Sequence, residues 1–509
     1  MILSCLFVAS TILFGSAVSY HRGPLEARDR IAVWRTVIVT HTITTHSPDR
    51  TPTKIQGGST TPIVDLPVQL STTFPAQTAS SNPPDQHSSM APSPPPPESS
   101  PSSSKQVFAH HIVGNTAAYT LADWVDDITQ AQAAHLDGFA LNIGPQDSYT
   151  DTSLANAYTA AEQRNFKLFI SFDYLSAGPW SSSQVIQKIK AFADSPAQFK
   201  VDGKAFVSTF EGANSAGDWS AIKAAVPIYF VPDWSSVGPG GFSQYLAGVD
   251  GAFSWNAWPE GASDMTDVED KAWKATLGSK AYMMGVSPWF YTSLPQWKKN
   301  WIWRGDSLWH DRWQEVLEVQ PEFVEVITWN DYGESHYIGP IRSGGIPTGA
   351  QRYVDNMPHD SWRTVLPYYI DAYKSGNTTM PNIPKDKLVF WYRINPSKAG
   401  STGGTTGNNP DYQPTVDPAD VAQDKIFIDA IVTAPADVTV QIGSNSPTTL
   451  RATTAGVNFL VVPFNGQTGD SVTFKIARDG NTVLTATGNG ISNGCEQGLV
   501  NYNAWVGES

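Results

Sequence analysis

Eight short apolar runs, separated by amphipathic segments, constrain the fold of this chain more than any other feature. The runs begin at Val107, Gly138, Lys167, Ala205, Ile228, Gly251, Ala281 and Phe323. Segments between them, such as "LADWVDDITQAQAAH" and "SSSQVIQKIKAFAD", have helical periodicity and follow residues that cap helices. Eight β/α units in roughly 270 residues predict a closed (β/α)8 TIM barrel over residues 106–380. The alternative, an open doubly wound sheet, usually has fewer strands and a Gly-rich first turn.

A different pattern begins near residue 385. Runs such as "DVTVQIG", "NFLVVPF" and "SVTFKIA" are rich in Val and Thr, and turn residues separate them. They predict a C-terminal antiparallel β-sandwich over residues 385–509. This segment has few aromatic residues that could bind a sugar from its surface, so we favour a structural brace over a binding module.

The N-terminal residues have the composition of targeting and linker segments. Residues 1–19 are apolar and end in small residues, which predicts a secretory signal peptide. Residues 20–46 form an extension without an assigned role. Residues 47–105 are rich in Ser, Thr and Pro, which predicts a disordered linker carrying O-glycans. Asn377 begins an "NTT" sequon and is a predicted N-glycan site. We therefore expect a secreted protein, extracellular or associated with a cell wall.

Charge and cysteine content exclude several classes of function. The net charge of -14 argues against a nucleic-acid or anionic-membrane partner, because both require a basic surface. Cys5 lies in the predicted signal peptide, which leaves Cys495 alone in the mature chain. Neither cysteines nor histidines have the spacing of a zinc site. We expect a monomer that uses no metal and no cofactor.

Polar side chains recur where the predicted strands end. In a (β/α)8 barrel, the carboxyl ends of the strands carry the active site. Such positions are occupied by Asp173, Glu211, Asp233, Asn256, Glu260, Asp331 and Glu334. A single Asp after a strand is often only a helix cap, so the recurrence carries the prediction.

Aromatic residues accompany these carboxylates. A sugar ring needs apolar platforms together with hydrogen-bonding groups, and the sequence offers both. We expect the cleft to be lined by Trp180, Trp234, Trp255, Trp258, Trp289, Trp329, Tyr332, His336 and His110. Core packing is the alternative for one or two of the tryptophans, and is as plausible as a cleft position for His110. Burial against the barrel is expected instead for Trp301, Trp303, Trp309 and Trp313.

The stretch "TWNDYGESHYIGP" places Asp331 and Glu334 three residues apart after the last run. Hydrolysis of a glycosidic bond needs one protonated carboxyl group as proton donor and one ionised carboxylate as base or nucleophile. The surroundings of the two groups must separate their pKa values. We predict that Asp331 and Glu334 are this pair.

Blocks such as "VFAHHIVGN", "FSWNAWP", "NWIWRGDSLWHDRW" and "ITWNDYGESHYIGP", in this order, resemble glycoside hydrolase family 71, the fungal α-1,3-glucanases or mutanases. The resemblance runs from Val107 through the C-terminal sandwich. It implies endo-acting, metal-independent hydrolysis of α-1,3-glucan with inversion at the anomeric carbon. It also implies Glu334 as general acid, Asp331 as base, and substrate subsites lined by Asp173, Glu211 and Asp233.

Two other readings stay open. One is a non-catalytic wall protein that only binds polysaccharide, and the other is a hydrolase of a different α-glucan. Asp331 and Glu334 favour hydrolysis over binding alone, since a binding protein needs neither a proton donor nor a base.

Overall fold

The computed structural model describes residues 105–376, 383–409 and 414–509. The predicted signal peptide and extension, residues 47–104 of the predicted linker, and Asn377 lie outside these ranges. Within them, no helix combines the length and apolar character needed to cross a membrane.

The first part of the chain alternates strands and helices as the sequence predicts. Its strands are β1 (Gln106–Ile112), β2 (Gly138–Ile143), β3 (Lys167–Asp173), β4 (Lys200–Val201), β5 (Lys204–Phe210), β6 (Ile228–Phe230), β7 (Gly251–Ser254), β8 (Ala281–Val286), β9 (Tyr291–Leu294), β10 (Lys299–Ile302) and β11 (Phe323–Val326). Its helices are α1 (Leu121–Ala133), α2 (Thr150–Arg164), α3 (Ser182–Phe192), α4 (Trp219–Ala225), α5 (Gly238–Phe242), α6 (Val268–Leu277), α7 (Leu308–Val319), α8 (Gln351–Val354) and α9 (Leu366–Ser375). All eight predicted apolar runs contain strands.

Eight of these strands form one parallel sheet in the order β6-β5-β3-β2-β1-β11-β8-β7, and β4 pairs antiparallel with β5. Asp233, just after β6, forms isolated parallel bridges with Phe210 on one side and Phe253 on the other. This residue therefore links the two end strands of the curled sheet. The fold is mixed α/β.

Burial on both faces explains why the runs are almost continuously apolar. On the inner face, the rings of Phe108, Phe169 and Phe206 pack with centroids 4.6–6.2 Å apart. The outer face packs on helices such as α1 and α3, which begin with complete capping boxes at Thr120 and Ser181.

The C-terminal part contains two separate antiparallel sheets. Its elements are β12 (Lys387–Tyr392), α10 (Pro418–Val421), β13 (Lys425–Val432), β14 (Ala436–Ile442), β15 (Thr448–Ala452), β16 (Gly456–Pro463), β17 (Gly469–Arg478), β18 (Asn481–Ile491) and β19 (Trp505–Glu508). The strand orders are β16-β13-β12-β19 and β15-β14-β17-β18. Apolar residues of both sheets share one buried cluster, in which the rings of Phe390 and Phe474 stack at 3.7 Å.

The C-terminal part also contributes to the core of the first part, and both belong to one compact unit. The indole Nε1 of Trp289 donates to the carbonyl of Tyr502 at 3.0 Å. The Arg393 guanidinium pairs with the Asp306 carboxylate at 2.6 Å, and both side chains are buried. Removing one partner of such a buried pair leaves an uncompensated charge, so this contact ties the two parts together.

Candidate active site

The loop after β11 folds back on itself and brings three predicted site residues together. The backbone N–H of Asp331 donates to Thr328 Oγ1 at 2.9 Å, and that of Glu334 donates to Asp331 Oδ1 at 3.1 Å. Thr328 N–H donates to the carbonyl of His336 at 2.9 Å. As a result, one oxygen of Asp331, one of Glu334 and one ring nitrogen of His336 all lie within 4.8 Å of one another.

Both oxygens of Glu334 have a partner. Lys299 Nζ donates to Oε1 at 2.9 Å, and His336 Nε2 lies 3.0 Å from Oε2. Burial alone would raise the pKa of the Glu334 carboxyl group, but the Lys299 charge and the His336 hydrogen bond outweigh it and hold that pKa below its ordinary value. Glu334 is therefore a carboxylate at neutral pH.

His336 is fixed on both sides of its ring. Burial lowers its pKa, so the imidazole is neutral. Its Nδ1 lies 3.1 Å from Thr328 Oγ1. A proton on Nε2 satisfies both contacts, because the ring then donates to Glu334 and accepts from the Thr328 hydroxyl.

Lys299 was not predicted from the sequence. It lies on β10, which pairs with β9 in a hairpin inserted after β8. The segment "QWKKNWIW" contains two adjacent lysines, and only the fold shows that Lys299 is buried while Lys298 is exposed. A lysine inside an otherwise aromatic segment is the one signal that could have drawn attention to it.

Aromatic rings crowd the same end of the sheet. Trp258 stacks on Trp303 with centroids 5.2 Å apart and lies 5.4 Å from the His336 ring. Phe290 stacks on Trp301 at 5.4 Å. The indole N–H groups of Trp301 and Trp303 have no hydrogen-bond partner among the described residues. Both tryptophans are buried, as the sequence predicts, and they lie in the inner cluster together with Trp258 and Phe290.

A second group of predicted residues lies on β1 and β3. His110 Nδ1 is 2.6 Å from Glu325 Oε1, and the Trp255 ring meets the His110 ring edge-on at 4.7 Å. The Asp173 carboxylate accepts the N–H groups of Leu175 and Ser176 at 2.8 and 2.9 Å. Burial raises the pKa of Asp173 to about 6, although these hydrogen bonds act in the opposite direction. Sequence reasoning missed Glu325 because it stands inside an apolar strand.

Glu211 and Asp233 form a third acidic group after β5 and β6. The carboxylate of Glu211 accepts from the N–H of Ser236 at 2.8 Å and from its hydroxyl at 2.5 Å. Asp233 Oδ1 accepts from the N–H and hydroxyl of Ser235, while Oδ2 is buried without a partner among the described residues. Burial raises the pKa of both groups, and for Asp233 the neighbouring Glu211 charge adds to the effect.

Other predicted residues lie away from these groups. Trp329 packs against Phe139 at 5.0 Å, and the Tyr332 hydroxyl donates to the carbonyl of Pro340. Both belong to the outer core, as does Trp289 beside the C-terminal part. The positions of Trp289, Trp329 and Tyr332 do not support the expectation that they line a cleft, because all three side chains are buried in this outer core.

The remaining predicted residues have mixed positions. Trp234 is buried against Phe230 and Tyr245. Trp180 Nε1 donates to the carbonyl of Asp173, so it supports that strand end from behind. Asn256 is partly buried, and its side chain donates to Glu269.

Comparison with known proteins shows the family of this chain. Residues 103–509 match the model of glycosyl hydrolase family 71. A glucan endo-1,3-alpha-glucosidase of Schizosaccharomyces pombe is 41% identical over 422 residues, which cover 79% of this chain and 94% of the relative. A mutanase of Penicillium rubens is 39% identical over 419 residues, covering 80% and 89%. An ascus wall endo-1,3-alpha-glucanase of S. pombe is 31% identical over 339 residues, covering 62% and 77%. The chain therefore belongs to glycosyl hydrolase family 71.

Proposed function

We propose that this protein is an endo-acting glycoside hydrolase that cleaves the α-1,3-glucosidic bonds of α-1,3-glucan. The observation that carries the proposal is the loop after β11, where Asp331 and Glu334 lie within 4.8 Å of each other beside stacked indoles. Two carboxyl groups and apolar platforms are what hydrolysis of a sugar polymer requires. The relatives named for α-1,3-glucan cleavage support this substrate.

The proposal includes the finer architecture. The bridges of Asp233 to both neighbours support a closed (β/α)8 barrel over residues 106–380. The apolar cluster shared by the two C-terminal sheets supports a β-sandwich over residues 385–509. The contacts of Trp289 and Arg393 favour the sandwich as a brace over an independent binding module. A site without a metal or cofactor, in a monomer, stays a prediction.

Asp331 and Glu334 are the proposed reacting pair, with His110, Asp173, Glu211, Trp255 and Trp258 as candidates for substrate contacts. The assignment of Glu334 as proton donor conflicts with its pairing to Lys299, because a carboxylate bonded to an ammonium carries no proton to give. Glu334 can serve as acid only if it gains a proton once substrate is bound.

The stereochemistry implied by the family resemblance also needs a separate test. Inverting enzymes hold their two carboxyl groups about 6.5 to 9.5 Å apart, which leaves room for the attacking water. The nearest oxygens of Asp331 and Glu334 are closer than that. Inversion by this pair would require one carboxyl group to move or the water to lie elsewhere, and NMR of the anomer first released distinguishes inversion from retention.

The proposed location is the cell wall or the extracellular space, since one relative is named for the ascus wall. A secretory signal, O-glycans on the linker and an N-glycan at Asn377 belong to the same proposal. Mass spectrometry of the protein secreted by a fungal host would detect the cleaved signal and both kinds of glycan.

The test of function is product release from insoluble α-1,3-glucan by the purified protein, with starch and dextran as controls. Oligosaccharides of several lengths from α-1,3-glucan alone support the proposal. Release from starch or dextran instead would change the substrate. Binding to α-1,3-glucan without release would favour the polysaccharide-binding alternative.

A further inference from the structure

The hairpin of β9 and β10 contacts Glu334 at two points. The N–H of Tyr291, the first residue of β9, donates to the Glu334 carbonyl at 3.1 Å. Lys299, the first residue of β10, donates to its carboxylate at 2.9 Å. The hairpin thus holds both the backbone and the side chain of Glu334.

The C-terminal part in turn holds β10. The N–H of Ile302 donates to the Thr406 carbonyl at 2.9 Å, and the N–H of Thr406 donates to the Asn300 carbonyl at 3.1 Å. The side chain of Asn300 donates to the Gly403 carbonyl at 3.0 Å and accepts from the Thr405 hydroxyl at 2.6 Å. Residues 403–406 therefore hold β10 through side-chain contacts and one isolated parallel bridge between Trp301 and Thr406.

Lys299 has little freedom to leave Glu334. Its side chain is 5% exposed and that of Glu334 is 2% exposed, so neither charge has an alternative partner in bulk water. A buried ammonium without a counter-charge is costly, and an unpaired buried carboxylate equally so. The pair is therefore a fixed part of the site, unlike a surface ion pair whose partners exchange with water.

Few other charged or titratable groups surround Glu334. Asp331 and His336 face it from its own loop, and Lys299 faces it from β10. His110 acts from β1, through the field it exerts on His336. Lys299 is the permanent cation of this set, because burial keeps His336 neutral.

We propose that Lys299 is a positioning residue that fixes the Glu334 carboxyl group and sets the pH range in which it reacts. The inference rests on the proposed function, since it assigns a partner to one of the proposed reacting residues. Lys299 acts only through Glu334 and makes no bond to the sugar. The hairpin positions Lys299, and residues 403–406 hold the hairpin, so the C-terminal part has a defined role in the reaction.

The test compares Lys299→Met with Lys298→Met, the same change at the neighbouring exposed lysine, and with Lys299→Arg, which keeps the charge. The pH dependence of kcat and KM on soluble α-1,3-linked oligosaccharides is measured for each. An opposite charge at this distance shifts a carboxyl pKa by about 1 to 3 units. Lys299→Met should therefore move one limb of the kcat profile upward by about 1 to 3 pH units, while Lys298→Met and Lys299→Arg follow the wild type within a few tenths.

The limb that moves also identifies the role of Glu334. An upward shift of the acid limb supports the proposal with Glu334 as the ionised base, and an upward shift of the alkaline limb supports it with Glu334 as proton donor. If both limbs of the Lys299→Met profile match those of Lys298→Met, the proposal is overturned, even if activity is reduced overall. A lysine with a purely structural role would change the rate and the stability but not the pH at which kcat rises or falls.

A second readout does not depend on activity. The Glu334–Lys299 interaction stabilises the fold above the unfolded pKa of Glu, about 4.3, and this contribution is lost as pH falls through the folded pKa. In Lys299→Met, burial is no longer offset by the cation and raises the Glu334 pKa, so the variant loses stability as pH rises above about 4.3. The stability difference between wild type and Lys299→Met should therefore grow as pH rises from about 4 to 7. A difference independent of pH overturns the proposal. Failure of the proposed function is distinct, because the wild type would then release nothing from α-1,3-glucan at any pH.

Discussion

Two pairs of buried carboxyl groups stand at the same end of the parallel sheet, and their surroundings are opposite. Glu334 and its neighbour Asp331 lie beside Lys299 and His336. The carboxylates of Glu211 and Asp233 accept hydrogen bonds from the hydroxyl and N–H groups of serines, and the charge of Glu211 acts on Asp233. The same residue types at similar burial therefore have pKa values shifted in opposite directions: the pKa of Glu334 is lowered, and those of Glu211 and Asp233 are raised.

The difference shows that a carboxylate at a strand end is not in itself a reacting group. A nearby cation keeps Glu334 charged despite burial, whereas burial and mutual repulsion drive Asp233 toward the neutral form. Asp233 also bridges the ends of the sheet through its backbone. We infer that the pair after β11 carries the chemistry and that Asp233 supports the sheet closure beside it.

The largest expected effect comes from removing the charge of Glu334. Glu334→Gln removes the carboxylate that accepts from buried Lys299 at 2.9 Å, and breaking one side of a buried pair costs about 3 to 5 kcal/mol of unfolding free energy. The double variant with Lys299→Met should recover most of that loss. Urea unfolding at pH 7 measures both. Equal stabilities of the single and double variants would contradict the pairing.

Asp233→Asn should raise the free energy of unfolding, whereas Glu334→Gln lowers it. Because the folded state raises the pKa of Asp233, wild type loses stability as pH rises above the unfolded Asp pKa of about 3.9. The amide keeps an oxygen acceptor for Ser235 and carries no charge. We expect the variant to be more stable than wild type at pH 7, by an amount on the order of 1 kcal/mol, and equal to it near pH 3. Thermal unfolding of wild type and Asp233→Asn at both pH values tests this prediction. A variant that is less stable than wild type at pH 7 would contradict it and would show that Asp233 is ionised.

The stacked indoles of Trp258 and Trp303 lie near Glu334, and we expect them to line the proposed cleft. Trp303→Ala removes a platform beside Trp258 and should lower kcat/KM by about tenfold, while Trp303→Phe keeps a ring and loses less. Trp329→Phe, in the outer core, is the matched control and should change stability more than kcat/KM. Steady-state kinetics on α-1,3-linked oligosaccharides measures all three. Equal kinetic effects at positions 303 and 329 would remove Trp303 from the cleft.

Asn300→Ala should have the smallest effect. It removes two side-chain hydrogen bonds to residues 403–405, each worth about 0.5 to 1.5 kcal/mol, without touching Glu334. We expect kcat to fall by about two- to fivefold and the pH profile to stay within a few tenths of wild type. If Asn300→Ala has the kcat of wild type, the contact between β10 and the C-terminal part does not affect the reaction.

Much of this fold could be predicted from the sequence, because all eight apolar runs contain strands and the two quoted helical segments contain helices α1 and α3. The cluster of Asp331, Glu334 and His336 was also predictable, since three neighbouring residues follow the last run. Lys299 was not, because its partner is 35 residues away and a hairpin places it there. The placement of Trp301 and Trp303 beside Trp258, and of Trp329 in the outer core, was not predicted, because the sequence alone does not show which buried cluster a tryptophan joins.

The measurement that tests the central claim most directly is hydrolysis of α-1,3-glucan by four variants assayed together: Asp331→Asn, Glu334→Gln, Glu211→Gln and Asp233→Asn. All four must first be shown to be folded by circular dichroism. Loss of a general acid or base lowers the rate by about 10²- to 10⁴-fold. The account predicts losses of this size for Asp331→Asn and Glu334→Gln, and more than one-tenth of wild-type activity for Asp233→Asn. Retained activity in Glu334→Gln, together with a comparable loss in Asp233→Asn, would contradict it and move the reaction to the pair after β5 and β6.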